Sequence, residues 1–207
     1  MSTPDHSFSA PVKKWLAMPM ETSAYAAIER VRRAEDVVHV AVLPDVHIAG
    51  DVCVGTAMAT KRLLYPSAVG GDIGCDHNHV RREEHFGESL YVHRKGAMCA
   101  DAGLAGVVPG SMGTQSLHVE GRGCADSLRS GAHGAGRLLS RHAAREQFGR
   151  TNFRRQMQGV WFDPRLGDAL REESPKAYKD VQSVMRAQRD LVKVTRTLRP
   201  LVVYKGR

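Results

Sequence analysis

No Cys-x-x-Cys pair occurs in this 207-residue chain: its four cysteines, Cys53, Cys75, Cys99 and Cys124, are scattered. That spacing argues against a zinc ribbon and against a disulfide framework, and it fits reduced thiols in a cytosolic protein. No apolar run of signal-peptide length follows Lys13 and Lys14, and no segment approaches the roughly 18 apolar residues of a membrane span. The expectation is a soluble, cytoplasmic protein without a membrane partner. Internal repeats and low-complexity tracts are lacking too, which excludes arrays and solenoids. Acidic residues are the minority, 22 Asp and Glu against 30 Lys and Arg, for a formal charge of +8. Such a balance favours a polyanionic partner such as RNA, DNA or a nucleotide, without choosing among them.

The length suffices for one domain with its own core. Residues 1–20 are polar and proline-dotted and read as a flexible segment ahead of one domain over 21–207. Helical spacing runs from Thr22 to Ala34, at Ala26, Ala27 and Ile28 followed by Val31. The run Val37 to Leu43 reads as a buried strand stopped by Pro44. Val52-Cys53-Val54 and Leu63-Leu64-Tyr65 look like short strands, as do Tyr91-Val92-His93 and Leu117-His118-Val119, while Val107-Val108 runs into a turn over 109–114. Residues 77–90 are dominated by polar groups, and 149–173 read as charged and irregular. Leu138 to Gln147 is a helix candidate, and Ser174-Pro175 can start another through about Ala187. Leu191 to Val194 and Leu201 to Tyr204 close the chain as strands. The fold class is α+β, mixed sheets with flanking helices.

One stretch stands out: Ser130-Gly131-Ala132-His133-Gly134-Ala135-Gly136-Arg137. Small neighbours let a large ligand approach the backbone and leave the imidazole reachable, although a glycine-rich turn merely capped by His133 has the same composition. Gly71-Asp72-Ile73-Gly74-Cys75 carries a carboxylate and a thiol three residues apart, and His77-Asn78-His79 follows. Asp72, Cys75 and His77 can ligate a transition metal, or simply populate a turn; thiolate and imidazole intrinsically favour zinc over manganese. Asp45 and His47 sit just past a strand end, where either a site loop or an Asx turn is expected. Lys95, Arg137 and Arg141 could cradle phosphates, the two arginines four apart and on one face of a helix begun by Arg137. Together these suggest a nucleophilic histidine beside a metal, a nucleotidyl-transfer site.

In order, Leu43-Pro44-Asp45-Val46-His47, Gly71-Asp72-Ile73-Gly74-Cys75, His77-Asn78, Arg94-Lys95-Gly96-Ala97, Pro109-Gly110-Ser111-Met112-Gly113, His133-Gly134-Ala135-Gly136-Arg137, Ala177-Tyr178-Lys179-Asp180 and Lys205-Gly206 resemble the RtcB-type GTP-dependent RNA ligases. That family joins RNA 3′-phosphate or 2′,3′-cyclic phosphate ends to 5′-hydroxyl ends. The resemblance covers about residue 36 to the C-terminus. It implies that His133 attacks GTP and carries GMP as a phosphoramidate. It also implies that Asp72, Cys75 and His77 hold manganese, with Cys75 bridging two ions. Asn78, Ser111, Ala135, Gly136, Tyr178 and Lys205 fall where the family holds the guanylate. Lys95, Arg137 and Arg141 fall where it holds phosphate or RNA backbone, and Asp45 and His47 lie behind them. The implied partners are RNA, such as tRNA halves or damaged RNA, and an accessory activator.

In the family, a long central block lies between the Gly-Asp-Ile-Gly-Cys and His-Asn motifs and carries two further metal histidines. Here Cys75 is followed by Asp76 and then His77-Asn78, an abbreviated RtcB-like fold with its seam at about 75–77. Two residues span roughly 7 Å, so the cut joins points that shared metal ligation already holds close. His47, His79, His85 or His118 would have to complete the metal shell, or water would fill it. The alternative to an active ligase is an impaired remnant that binds RNA or nucleotide, and self-association could cover surface exposed at the seam.

Overall fold

The computed structural model describes residues 9–70 and 78–204. In chain order the elements are β1 (Val12–Lys14), α1 (Thr22–Arg32), β2 (Val37–His47), β3 (Val54–Thr60), β4 (Val80–His85), β5 (Glu88–Lys95), β6 (Ala97–Cys99), β7 (Ala105–Val108) and β8 (Ser116–Gly121). There follow β9 (Ser130–Ala132), α2 (Arg141–Gln147), α3 (Arg150–Gln156), β10 (Trp161–Phe162), α4 (Val181–Ala187), β11 (Val192–Leu198) and β12 (Val202–Val203). Helices and several separate sheets make the chain an α+β protein.

The largest sheet has the order β1-β2-β3-β5-β4 and is mixed: β1 runs parallel to β2, and the other pairs are antiparallel. β2, second in that order, is covered on both faces. Val40, Val42 and Val46 pack with Ala24, Ala27, Ile28 and Val31 of α1 on one side. Ala41 packs with Ala57, Leu90, Val92 and Leu128 on the other. A strand buried on both faces reads as an unbroken apolar run, which is why it is visible in the sequence. A second core joins β6, β8, β9 and α4 through Met98, Leu117, Val119, Ala132 and Val184.

Several elements depart from the sequence reading. The N-terminal stretch is not loose where it is described: Val12–Lys14 pairs with Val40–Val42, and Trp15 N donates to Val42 O at 2.9 Å. Composition cannot reveal a strand whose partner lies about 28 positions away, and its own burial is slight. Pro44 does not stop β2, which continues to His47. The ladder to β3 breaks register between Val42 and His47, so the missing proline N–H costs no pair there. β4, Val-Arg-Arg-Glu-Glu-His, hides in the polar stretch because it is an edge strand with mostly exposed side chains. Leu63 to Tyr65 is irregular and leads into a short 3-10 turn, and the strand near Val52 starts only at Val54.

The helix expected from Leu138 begins at Arg141, where the Ser140 side chain caps Ala143 N at 3.1 Å. Arg137 therefore precedes the helix, bridged to Tyr178, and does not share a helical face with Arg141. The segment read as irregular contains α3. The helix expected from Pro175 splits into a 3-10 turn, Pro175–Ala177, and α4, whose cap Asp180 accepts from Gln182 N and Ser183 N.

Candidate active site

A cleft of about 500 Å³ opens where β2, β5 and the segment after β9 meet. Its volume falls in the roughly 300–1,000 Å³ typical of small-ligand sites. His47, Asn78, Lys95, His133, Arg137 and Tyr178 present side chains along it, with backbone at Gly96, Gly110, Ala135 and Gly136. Residues from widely separated motifs thus reach one cavity.

His133 follows directly on β9, whose pairing with β6 holds Ala132 against Ala97. Behind it lies Asp45, fully buried, with Oδ2 2.7 Å from His133 Nδ1. An imidazole whose Nδ1 proton is held by a carboxylate leaves Nε2 unprotonated for attack. Asp45 Oδ1 is buried with no hydrogen-bond partner among the described residues. Two glycines with left-handed φ make room for Asp45, one at its carboxylate and one at its backbone. A Cβ on Gly55 would stand 2.6 Å from Oδ1, and one on Gly136 2.4 Å from the Asp45 carbonyl oxygen.

The second half of the site is ionic. Arg137 stacks on the Tyr178 ring, 4.8 Å from its centroid, and its guanidinium donates to Glu173 Oε2 at 2.9 Å and to the Tyr178 hydroxyl oxygen at 2.8 Å. The Tyr178 hydroxyl in turn donates to Glu173, a buried carboxylate. Burial, followed by that hydrogen bond, pushes the Tyr178 phenol up to about 12. Lys95 Nζ donates to Ala49 O at 2.9 Å and Ser67 O at 3.1 Å, and burial draws its ammonium below the ordinary lysine value. Asn78 Oδ1 accepts from Gly96 N at 2.8 Å. Burial likewise lowers the His47 pKa, against a hydrogen bond from Nδ1 to Asp45 O at 2.9 Å.

Of the residues singled out in the sequence, Asn78, Lys95, His133, Ala135, Gly136, Arg137, Tyr178 and His47 border the cleft, with Asp45 behind His133. Ser111 does not line it; its Oγ is 2.9 Å from Thr114 Oγ1 in the adjoining turn. Arg141 lies in a neighbouring groove, tied to Glu173 by Nε at 3.3 Å. Asp72, Cys75 and His77 lie outside the described residues, as does Lys205. The flanking Gly70 and Asn78 both line the cleft. Among the described residues no three His, Cys, Asp or Glu side chains form a group able to hold a metal ion. His85 is bound to Glu83 at 2.9 Å, away from the cleft lining, and His118 sits on β8.

Sequence reasoning passed over Glu173 and Lys179. Glu173 stands in a stretch with no periodicity, and nothing local marks it. Lys179 lies within a quoted motif but next to the more conspicuous Tyr178.

An imidazole paired with a buried carboxylate, beside a lysine and a tyrosine-stacked arginine, is the equipment of a protein that handles an anionic ligand with a nucleophile at hand. The family model described as tRNA-splicing ligase RtcB matches residues 73–206, more than half of the chain, and the chain belongs to that family. It is 47% identical over 135 residues to an RNA-splicing ligase RtcB of Escherichia coli strain K12, covering 65% of this chain and 33% of the relative. A tRNA-splicing ligase RtcB of Thermococcus kodakarensis is 33% identical over 153 residues, 63% of this chain and 32% of the relative. One of Pyrococcus horikoshii is 33% identical over 165 residues, 66% of this chain and 19% of the relative. The chain thus spans about a third or less of the length of these curated relatives. Among the described residues no helix is long and apolar enough to cross a membrane.

Proposed function

We propose that this chain carries out GTP-dependent RNA joining through a covalent guanylate on His133. The observation that carries the reading is the 2.7 Å contact of His133 Nδ1 with buried Asp45, on a cleft that also presents Lys95 and Arg137. Asp45 keeps the proton on Nδ1, so the Nε2 lone pair attacks the α-phosphorus of GTP; the Nε2–P bond forms, the bond to the bridging oxygen breaks, and pyrophosphate leaves. Lys95 and Arg137 neutralise phosphate charge. The guanylate then passes to an RNA 3′-phosphate oxygen, freeing His133, and an RNA 5′-hydroxyl displaces GMP to form the phosphodiester. Tyr178, Asn78 and the small residues Ala135 and Gly136 would bound the guanylate.

Manganese enters by resemblance, through Asp72, Cys75 and His77, and when bound would polarise a phosphate oxygen. The steps above use only the chain's own groups. The test is incubation with GTP labelled at the α-phosphate, with manganese, with zinc or with chelator. Acid-labile label on the wild type and none on His133→Ala supports the reading. Absence of label on the wild type, or label that persists in His133→Ala, overturns it.

A second reading, an RNA-binding module that no longer joins ends, draws on the small fraction of its relatives' length that the chain spans. It is favoured if RNA binding weakens as salt rises while no label and no joined product form.

A further inference from the structure

Lys179 does not line the cleft; it borders a smaller cavity beside it, together with Glu21, Ala24, Val46 and Leu138. From there its Nζ donates to Pro44 O at 3.0 Å and to Val46 O at 2.7 Å. These are the carbonyls on either side of Asp45. They fall in the part of β2 where the ladder to β3 is interrupted, between Val42 and His47. The Lys179 backbone N donates to Gly136 O at 3.0 Å. One residue therefore grips the strand that carries the carboxylate and the loop that carries the imidazole.

We infer that Lys179 is a positioning residue: its ammonium, bridging the two carbonyls around Asp45, fixes the carboxylate's aim at His133 Nδ1. The inference rests on His133 being the nucleophile. A strand segment without ladder bonds has backbone freedom, and a bulge at such a place re-aims a side chain. Two charge-assisted bonds from one ammonium remove that freedom. Lys179 is not among the residues that line the cleft, although the cavity it borders shares His47 and Arg137 with it. Burial lowers the Lys179 pKa, while the negative charges of Asp45 and Glu21 pull it back up.

Two measurements on the full chain decide the point. In histidine ¹⁵N spectra, with His133→Ala assigning the signal, the wild type shows the Nδ1-protonated tautomer of His133. Lys179→Met loses this preference, whereas Lys179→Arg, which keeps donors, retains it. In guanylate labelling, Lys179→Met lowers kcat by roughly 10²-fold, the scale of a 1 Å misplacement, with KM for GTP within about twofold of wild type. A lysine that only tethers the loops would lower the melting temperature and leave both the tautomer and kcat alone, and that result overturns the inference. If Lys179→Met does not fold, Lys179→Gln is judged by the same two readouts. Should the wild type take no label, the ligase reading fails, and the His133 resonance still decides the role of Lys179.

Discussion

Asp45→Asn is the most direct perturbation of the site. It keeps the side-chain shape, removes the charge, and leaves His133 facing an amide. The Asp45 Oδ2 contact at 2.7 Å joins a fully buried carboxylate to a partly exposed imidazole and is charge-assisted; hydrogen bonds of that kind contribute about 1.5–3 kcal/mol. At 1.4 kcal/mol per decade, its loss alone slows attack roughly 10- to 100-fold. The amide adds a second cost whichever way it turns. With its NH₂ toward Nδ1, the ring must accept there and carry its proton on Nε2, the attacking atom. With its oxygen toward Nδ1, the NH₂ enters the buried place of Oδ1, which has no partner among the described residues and abuts Gly55. An unsatisfied buried donor costs about 1–3 kcal/mol. The expected outcome is a guanylate-labelling rate down by roughly 10²-fold or more at saturating GTP, with the melting temperature lowered because a buried polar pairing has been broken. The measurement is the initial rate of acid-labile label, alongside a thermal melt. Labelling of Asp45→Asn within about threefold of wild type would refute the assignment of Asp45 as the group that sets the His133 tautomer.

Glu83 offers a test on stability. Burial alone would raise its pKa, but hydrogen bonds from His85 and Arg94, with Arg94's charge, outweigh burial and hold it at about 2 against an ordinary 4.5. A depressed folded pKa gives stability that is full above 4.5 and lost as pH falls through about 2, so urea melts of the wild type should weaken across that window. Glu83→Gln should remove that contribution to the slope and cost about 3–5 kcal/mol at neutral pH, since it strands the buried Arg94 guanidinium. Gly136→Ala places a Cβ 2.4 Å from the Asp45 carbonyl, whereas Gly50→Ala, at a similar φ, meets no atom within 4 Å. Both should lose about 1–2 kcal/mol for the left-handed backbone, but only Gly136→Ala should also lose guanylate labelling. Glu173→Gln should lower the Tyr178 phenol from about 12, read as an earlier tyrosinate absorbance in alkaline titration; an unmoved titration would remove Glu173 as a cause of the shift.

Local pattern carried a good part of this molecule. The periodicity of Ala27, Ile28 and Val31 marks α1 because those side chains contact β2 along one helical face. The unbroken run from Val37 marks β2 because it is covered on both sides. β5 and β8 are legible as the short runs Tyr91-Val92-His93 and Leu117-His118-Val119, the second alternating because one of its faces is buried. The motif residues, read as a set, name most of the cleft lining before any coordinate is known, since their order and identity suffice for the resemblance.

Only the tertiary structure decided what each of those residues faces. That Asp45 meets His133 across 88 positions, that Lys179 clasps the carbonyls beside it from 133 and 135 positions away, and that Glu173 holds Arg137 across 36 are long-range facts. Likewise β1 and β4 are strands because of the partners they lie beside, with side chains too exposed to leave an apolar signature. Hydrophobic spacing records burial along one element; hydrogen-bond partners are chosen only when elements distant in the chain come into contact, and that information has no local period to read.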